Sequence, residues 1–86
     1  MYILIERYIN NLTINDLNYL ALNNNINLSN DELNFSFAFI KKNWKTILGN
    51  HGVFDIEKYR SHYTVENFEK IKQLYKELKI KYSNYL

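Results

Sequence analysis

The fold class is decided by residues 28–48, LSNDELNFSFAFIKKNWKTIL. Ser29 and Glu32 open this stretch as a capping box, in which each side chain accepts a hydrogen bond from the backbone N–H of the other residue. The apolar side chains that follow recur at the 4-3-4-3 spacing of a helix. This stripe contains Leu33, Phe37, Ile40, Trp44 and Ile47, and it is widened by Phe35, Ala38 and Phe39. A helix that is apolar over most of its circumference is surrounded by its neighbours or lies in an interface, so we predict that this helix is the central element.

The same start signal occurs upstream of this stretch. Thr13 and Asp16 form an acidic variant of the capping box, and Leu12 and Leu17 are placed to pack around it as a hydrophobic staple. The asparagines at 23–25 predict a turn between this second helix and the third. The first helix is predicted from an apolar stripe of Leu4, Ile5, Tyr8, Ile9 and Leu12.

The second half of the chain carries its own helix signals. Gly49 is suited to end the third helix, and Asp55 and Thr64 are placed to cap two more helices. The last helix is predicted from a stripe of Phe68, Ile71, Tyr75, Leu78 and Tyr82. We therefore predict an all-α fold in which a compact bundle surrounds the aromatic-rich third helix, as a single domain over residues 1–86. The five predicted helices span approximately residues 2–10, 14–23, 30–48, 56–61 and 65–84.

Composition limits where and how the chain works. It has 86 residues and no cysteine, which excludes disulfides and thiolate metal ligands. No apolar run approaches the roughly 20 residues of a membrane span, and the first residues do not resemble a signal peptide. We therefore expect a cytoplasmic protein with no membrane contact. The abundance of Asn, Ile, Lys, Leu and Tyr is typical of an AT-rich genome, bacterial or phage, and a phage protein would act in the host cytoplasm.

No catalytic motif is present. His51 and His62 lack the spacing of a metal-binding pair, although His51 and Asp55 could meet at the glycine loop. The acidic residues at helix starts are explained by capping, and there is no phosphate-binding loop or nucleophile elbow. We predict a protein that is not an enzyme, with no catalytic, cofactor or metal site and no small-molecule substrate.

The charge is divided unevenly along the chain. Residues 1–40 carry one Arg against four acidic side chains, a balance of −3, whereas residues 41–86 carry ten Lys and Arg against five, a balance of +5. This basic half is either a solvated lysine face or a surface for nucleic acid. The nucleic-acid alternative is a module of helix-turn-helix type, although Asp31 and Glu32 at the start of the third helix would repel phosphate. Its candidate contacts are Lys41, Lys42, Lys45, Arg60, Lys72, Lys76 and Lys79.

Aromatic residues are numerous, with eight Tyr, five Phe and one Trp. Either AT-rich coding supplies surface tyrosines, or some of them form a protein interface, where Tyr and Trp are favoured. The candidate interface residues are Tyr2, Tyr19, Tyr59, Tyr63 and Tyr85. The leading prediction is a non-catalytic protein that binds another protein as an adaptor, a regulator or a phage-type inhibitor of host machinery. A dimer through the third or fifth helix is one form of this prediction.

The order of features in residues 9–60 resembles a small helical family of unknown function from low-GC Gram-positive bacteria. The resemblance rests on Thr13, Asp16, Leu17, Ile26, Leu28 and Ser29, and on Val53, Phe54 and Arg60. These are capping and packing positions, and the aromatic-rich third helix departs from the pattern. The resemblance implies a helical fold and no mechanism.

Overall fold

The predicted all-α class is confirmed by a computed structural model, which describes residues 2–48 and 54–82. These residues form four α-helices and one 3₁₀ helix, and no strand occurs among them. The α-helices are α1 (Tyr2–Asn11), α2 (Ile14–Asn23), α3 (Asn30–Leu48) and α4 (Val65–Tyr82), and the 3₁₀ helix is Ile56–His62. The glycine loop at 49–52 and the predicted last turn at 83–84 lie outside the described residues.

The helices begin where the sequence signals place them. Thr13 and Asp16 exchange both capping-box hydrogen bonds, at 3.0 and 3.1 Å, ahead of α2. Ser29 and Glu32 do the same ahead of α3, at 2.8 and 3.2 Å. The Asp55 carboxylate caps the 3₁₀ helix by accepting from the N–H of Glu57. These side chains pair the free N–H groups that every helix start leaves.

The turn after α2 closes as a Schellman motif. The N–H of Ile26 donates to the carbonyl of Ala21 at 2.9 Å, and the N–H of Asn25 donates to that of Leu22 at 3.0 Å. Asn25 adopts φ 62°, the left-handed position that glycine usually takes at a helix end. Ile26 and Ala21 are both buried, so the apolar pair that accompanies this motif is present.

The third helix is central, as predicted. α3 packs against α1 and α2, and its aromatic side chains reach the 3₁₀ helix, while α4 packs chiefly on the 3₁₀ helix. Trp44 of α3 is buried, and Phe68 of α4 is fully buried. The other buried apolar side chains are Ile9, Leu12, Leu17, Ala21 and Ile26. The predicted stripes thus supply much of the core, although Ile71, Tyr75 and Leu78 of the α4 stripe are only half-buried.

Candidate functional sites

A cluster of aromatic rings joins α3 to the 3₁₀ helix. It contains Phe35, Phe39, Phe54, Tyr59, His62 and Tyr63. The imidazole of His62 stacks on Phe35 with centroids 3.8 Å apart and planes 8° apart, and Tyr59 meets Phe39 edge to face at 4.5 Å. This aromatic cluster attaches the short 3₁₀ helix to the central helix, because such ring pairs stabilise beyond the area they bury.

An apolar cavity of about 200 Å³ lies beside the aromatic cluster and is partly open to solvent. Its walls come from α2, α3, the 3₁₀ helix and α4, and none of the described side chains that line it is charged. The lining residues are Leu17, Leu20, Ala21, Ile26, Leu28, Phe35, Ser36, Phe39, Ile40, Ile47, Phe54, Ile56, Tyr59, Tyr63, Ile71, Leu74, Tyr75 and Leu78. Ile71, Tyr75 and Leu78 of the α4 stripe are only half-buried because they line this cavity.

A polar junction connects the starts of α3 and α4, and it is formed by the buried Glu32 and Asn67 together with Ser29 and Thr64 at its edge. Besides capping α3, the carboxylate of Glu32 accepts from the N–H of Thr64 at 2.8 Å and from the side-chain amide of Asn67 at 2.9 Å. Burial by itself raises the pKa of Glu32, but the hydrogen bonds donated by Ser29, Thr64 and Asn67 outweigh it and lower the pKa. Glu32 is therefore a charged structural group and is buried away from any ligand surface.

The three candidate interface tyrosines whose side chains the structure describes do not share one exposed surface. Tyr19 is 70% exposed on α2, whereas Tyr59 and Tyr63 are half-buried in the aromatic cluster. The hydroxyl of Tyr63 is hydrogen-bonded to that of Ser36 at 2.6 Å, and burial raises the pKa of Tyr63. The side chains of Tyr2 and Tyr85 lie outside the described part of the chain.

The structure instead exposes one side of the first helix, which we call the α1 face (Leu4 and Tyr8). These side chains are 64% and 60% exposed, whereas Ile9 and Leu12 of the same predicted stripe are buried. The stripe is wider than the surface of α1 that α3 covers, so two of its five side chains remain exposed to solvent. The signal for this face was in the sequence, since five apolar residues on a short helix span more than one neighbour buries.

Several candidate nucleic-acid contacts are engaged within the molecule. Lys41 donates to the carbonyls of Ile9 and Asn10 at the end of α1. Arg60 binds Glu57 and Glu69 and lies 4.4 Å over the ring of Phe68, and Lys72 pairs with Glu57. Lys45 lies 3.9 Å from Glu6. The remaining candidates are Lys79, which lies over the ring of Tyr75, and the exposed Lys42 and Lys76. The predicted basic surface is therefore interrupted by carboxylates and by structural contacts.

The histidines do not form a site in the described part of the chain. His62 belongs to the aromatic cluster. His51, the predicted neighbour of Asp55, lies outside the described residues. Within residues 2–48 and 54–82, no group of three or more His, Asp or Glu side chains is arranged to hold a metal ion. No helix in these ranges is long and apolar enough to cross a membrane.

No protein-family model matches the chain, and no curated protein or solved structure matches it significantly. The resemblance to the helical family of low-GC Gram-positive bacteria stays a prediction.

Proposed function

We propose that this chain is a non-catalytic helical domain of the cytoplasm that acts by binding another protein, as an adaptor, a regulator or an inhibitor. The observation that supports this proposal is the uncovered α1 face. Leu4 and Tyr8 stand four residues apart, so they are neighbours on one side of the helix. An aliphatic and an aromatic side chain, both more than half exposed, offer area that a partner gains free energy by burying.

The chemistry around the α1 face suits a protein partner. Arg7 is exposed on the same helix three residues after Leu4, so it provides a charged group at the edge of the apolar pair. An apolar centre with a polar rim is the usual composition of an interface core and its surroundings. Tyrosine is also among the residues that most often dominate binding energy when buried.

Nucleic acid is the weaker alternative. Binding to phosphates depends on cations that are free to replace counterions. Arg60 and Lys72 are held by Glu57 and Glu69, and Lys41 is held by backbone carbonyls. A phosphate backbone would have to compete with these internal contacts.

The test is affinity capture from a lysate of the source cell, with and without nuclease, using the tagged chain and two variants. The interface variant carries Leu4→Gln and Tyr8→Gln, which keep helix propensity but remove the apolar face. The matched control carries Glu6→Gln and Asn10→Gln, which change exposed positions on the side of the same helix that faces away from Leu4 and Tyr8.

The proposal predicts one stoichiometric protein that survives nuclease, is lost with the interface variant and is kept by the control. Circular dichroism must show that both variants are as helical as the parent chain. Capture that disappears with nuclease, or that is unaffected by the interface variant, contradicts the proposal. Sedimentation of the purified chain tests the special case in which the partner is a second copy.

A further inference from the structure

The apolar cavity lies along the second half of α4, where the ring of Tyr75 meets Phe54 edge to face at 5.4 Å. Near the start of α4, Asn67 belongs to the polar junction and Phe68 is fully buried under the guanidinium of Arg60. Further along, Ile71, Leu74 and Leu78 line the cavity and stay half-buried. The second half of α4 therefore faces a space that none of the described side chains fills.

The size of this space limits what it can hold. A dry cavity of about 150 Å³ lined by aliphatic and aromatic side chains is large enough to bind benzene. Pockets for drug-sized ligands measure roughly 300–1,000 Å³. At about 200 Å³ this cavity falls between the two, which corresponds to a molecule of one or two rings.

The chemistry of the walls limits the occupant further. The cavity is lined almost wholly by apolar surface, and the described lining residues include no Lys, Arg, Asp or Glu. A charged ligand would lose its hydration without gaining a counter-ion. The rings of Phe35, Phe39, Phe54 and Tyr59 contact one another and line the cavity, so they can meet an aromatic guest edge to face or in offset stacks.

One of the residues that line the cavity has a buried polar atom without a hydrogen-bond partner. The hydroxyl of Tyr75 is buried and has no hydrogen-bond partner among the described residues. A buried polar group without a partner is destabilising, and such groups usually find one in protein or ordered water. A bound molecule with a single ring N–H or hydroxyl places a hydrogen-bonding group in the cavity that Tyr75 lines.

From these observations we propose that the cavity is a binding site for a small, neutral aromatic molecule of one or two rings that carries at most one hydrogen-bonding group. This proposal does not depend on the protein-binding function, since the cavity and the α1 face share no residue.

The test uses indole as the probe, with the full chain labelled for heteronuclear NMR. The proposal predicts saturable binding, with shift changes concentrated on signals of cavity residues such as Ala21, Ile71 and Leu74. Indole-3-acetate, which adds a carboxylate to the same rings, should bind at least about tenfold more weakly, while 3-methylindole should still bind. Absence of saturable shifts, changes spread over the surface, or equal binding of the carboxylate would overturn the proposal.

A pair of variants separates the cavity from the general surface of α4. Ile71→Phe adds a ring inside the cavity and should abolish indole binding while raising the melting temperature. Val65→Phe adds the same ring at a position that is 73% exposed and should leave indole binding unchanged. If Ile71→Phe does not fold, the titrations of the parent chain still decide the question.

Indole binding by Ile71→Phe that equals that of the parent chain contradicts the proposal. So does a dimer of the parent chain that fills the cavity with a side chain of the second copy, which sedimentation of the same samples would reveal.

Discussion

The carboxylate of Glu32 accepts a hydrogen bond from the backbone N–H of Thr64 at 2.8 Å, so one side chain serves the starts of two helices. In a capping box, the third residue of a helix accepts from the N–H of its own cap. Glu32 does this for Ser29 at the start of α3, and at α4 it takes the place of Asn67, whose amide donates to Glu32 instead. This arrangement connects the start of α4 to the start of α3.

The two capping boxes provide a matched pair for measuring what this second connection contributes. Glu32→Ala removes the acceptor of the Thr64 N–H and one of the two acceptors of the Asn67 amide, and we expect the free energy of unfolding to fall by about 2 kcal/mol. Asp16→Ala removes the equivalent residue of an exposed box, which serves one helix only, and should lower the free energy of unfolding by less. Urea unfolding followed by circular dichroism gives both values. Equal losses would mean that the contact with Thr64 adds no stability.

Acid should weaken the fold through the same carboxylate. Because the pKa of Glu32 is lowered in the folded chain, its stabilisation is complete above the ordinary value of 4.5 and is lost as the pH falls through the lowered pKa. The difference in urea midpoint between the parent chain and Glu32→Gln should therefore shrink between pH 7 and pH 3. Some acid dependence remains in the variant, since a hydrogen bond from the Thr13 backbone also lowers the pKa of Asp16. A difference that stays constant with pH would show that the charge of Glu32 does not matter.

The helix starts could be predicted from the sequence because each depends on residues two or three positions apart. Thr13 with Asp16, and Ser29 with Glu32, are local patterns with a fixed geometry. The contact between Glu32 and Thr64 joins residues 32 positions apart, and nothing in the spacing indicates it. Periodicity likewise places residues on the inner face of α4, but it does not say how closely that face is covered.

The candidate surfaces were harder to predict because residue type alone does not determine exposure. Tyr59 and Tyr63 are candidate interface residues in the sequence, and the structure places both rings half-buried against Phe35. Leu4 and Tyr8 belong to the predicted apolar stripe of the first helix, and the structure leaves them exposed while Ile9 of the same stripe is buried. Both outcomes depend on how the helices pack, which a single helix pattern does not contain.

The turn after α2 gives a test of backbone strain. Asn25 is held at φ 62°, where a Cβ is unfavourable and asparagine is one of the few residues tolerated besides glycine. Asn25→Ala should lower the free energy of unfolding by about 1 kcal/mol, which corresponds to a fall of roughly 4–8 °C in melting temperature. Asn25→Gly should be neutral or slightly stabilising. Calorimetry of both variants beside Asn23→Ala, an exposed helical control, measures the effect. A melting temperature for Asn25→Ala equal to that of the control would exclude strain at this position.

Lys41 and Lys42 are adjacent in the sequence but differ in their contacts. Comparing their variants tests whether cations of the basic half stabilise the fold or bind nucleic acid. Lys41 donates to the last carbonyls of α1 and lies 5.3 Å from the ring centre of Phe37, whereas Lys42 is exposed. A cation bound to carbonyls at a helix end interacts favourably with the helix dipole, so Lys41→Ala should cost about 1 kcal/mol of stability. Lys42→Ala should stay within about 0.5 kcal/mol of the parent chain.

Urea unfolding gives the two free energies of unfolding, and binding to duplex DNA at low salt gives a second comparison. If both lysines act on nucleic acid, the two variants lose DNA affinity alike while differing in stability. If the basic half serves the fold, they differ in stability and the parent chain shows no salt-sensitive DNA binding for either to lose.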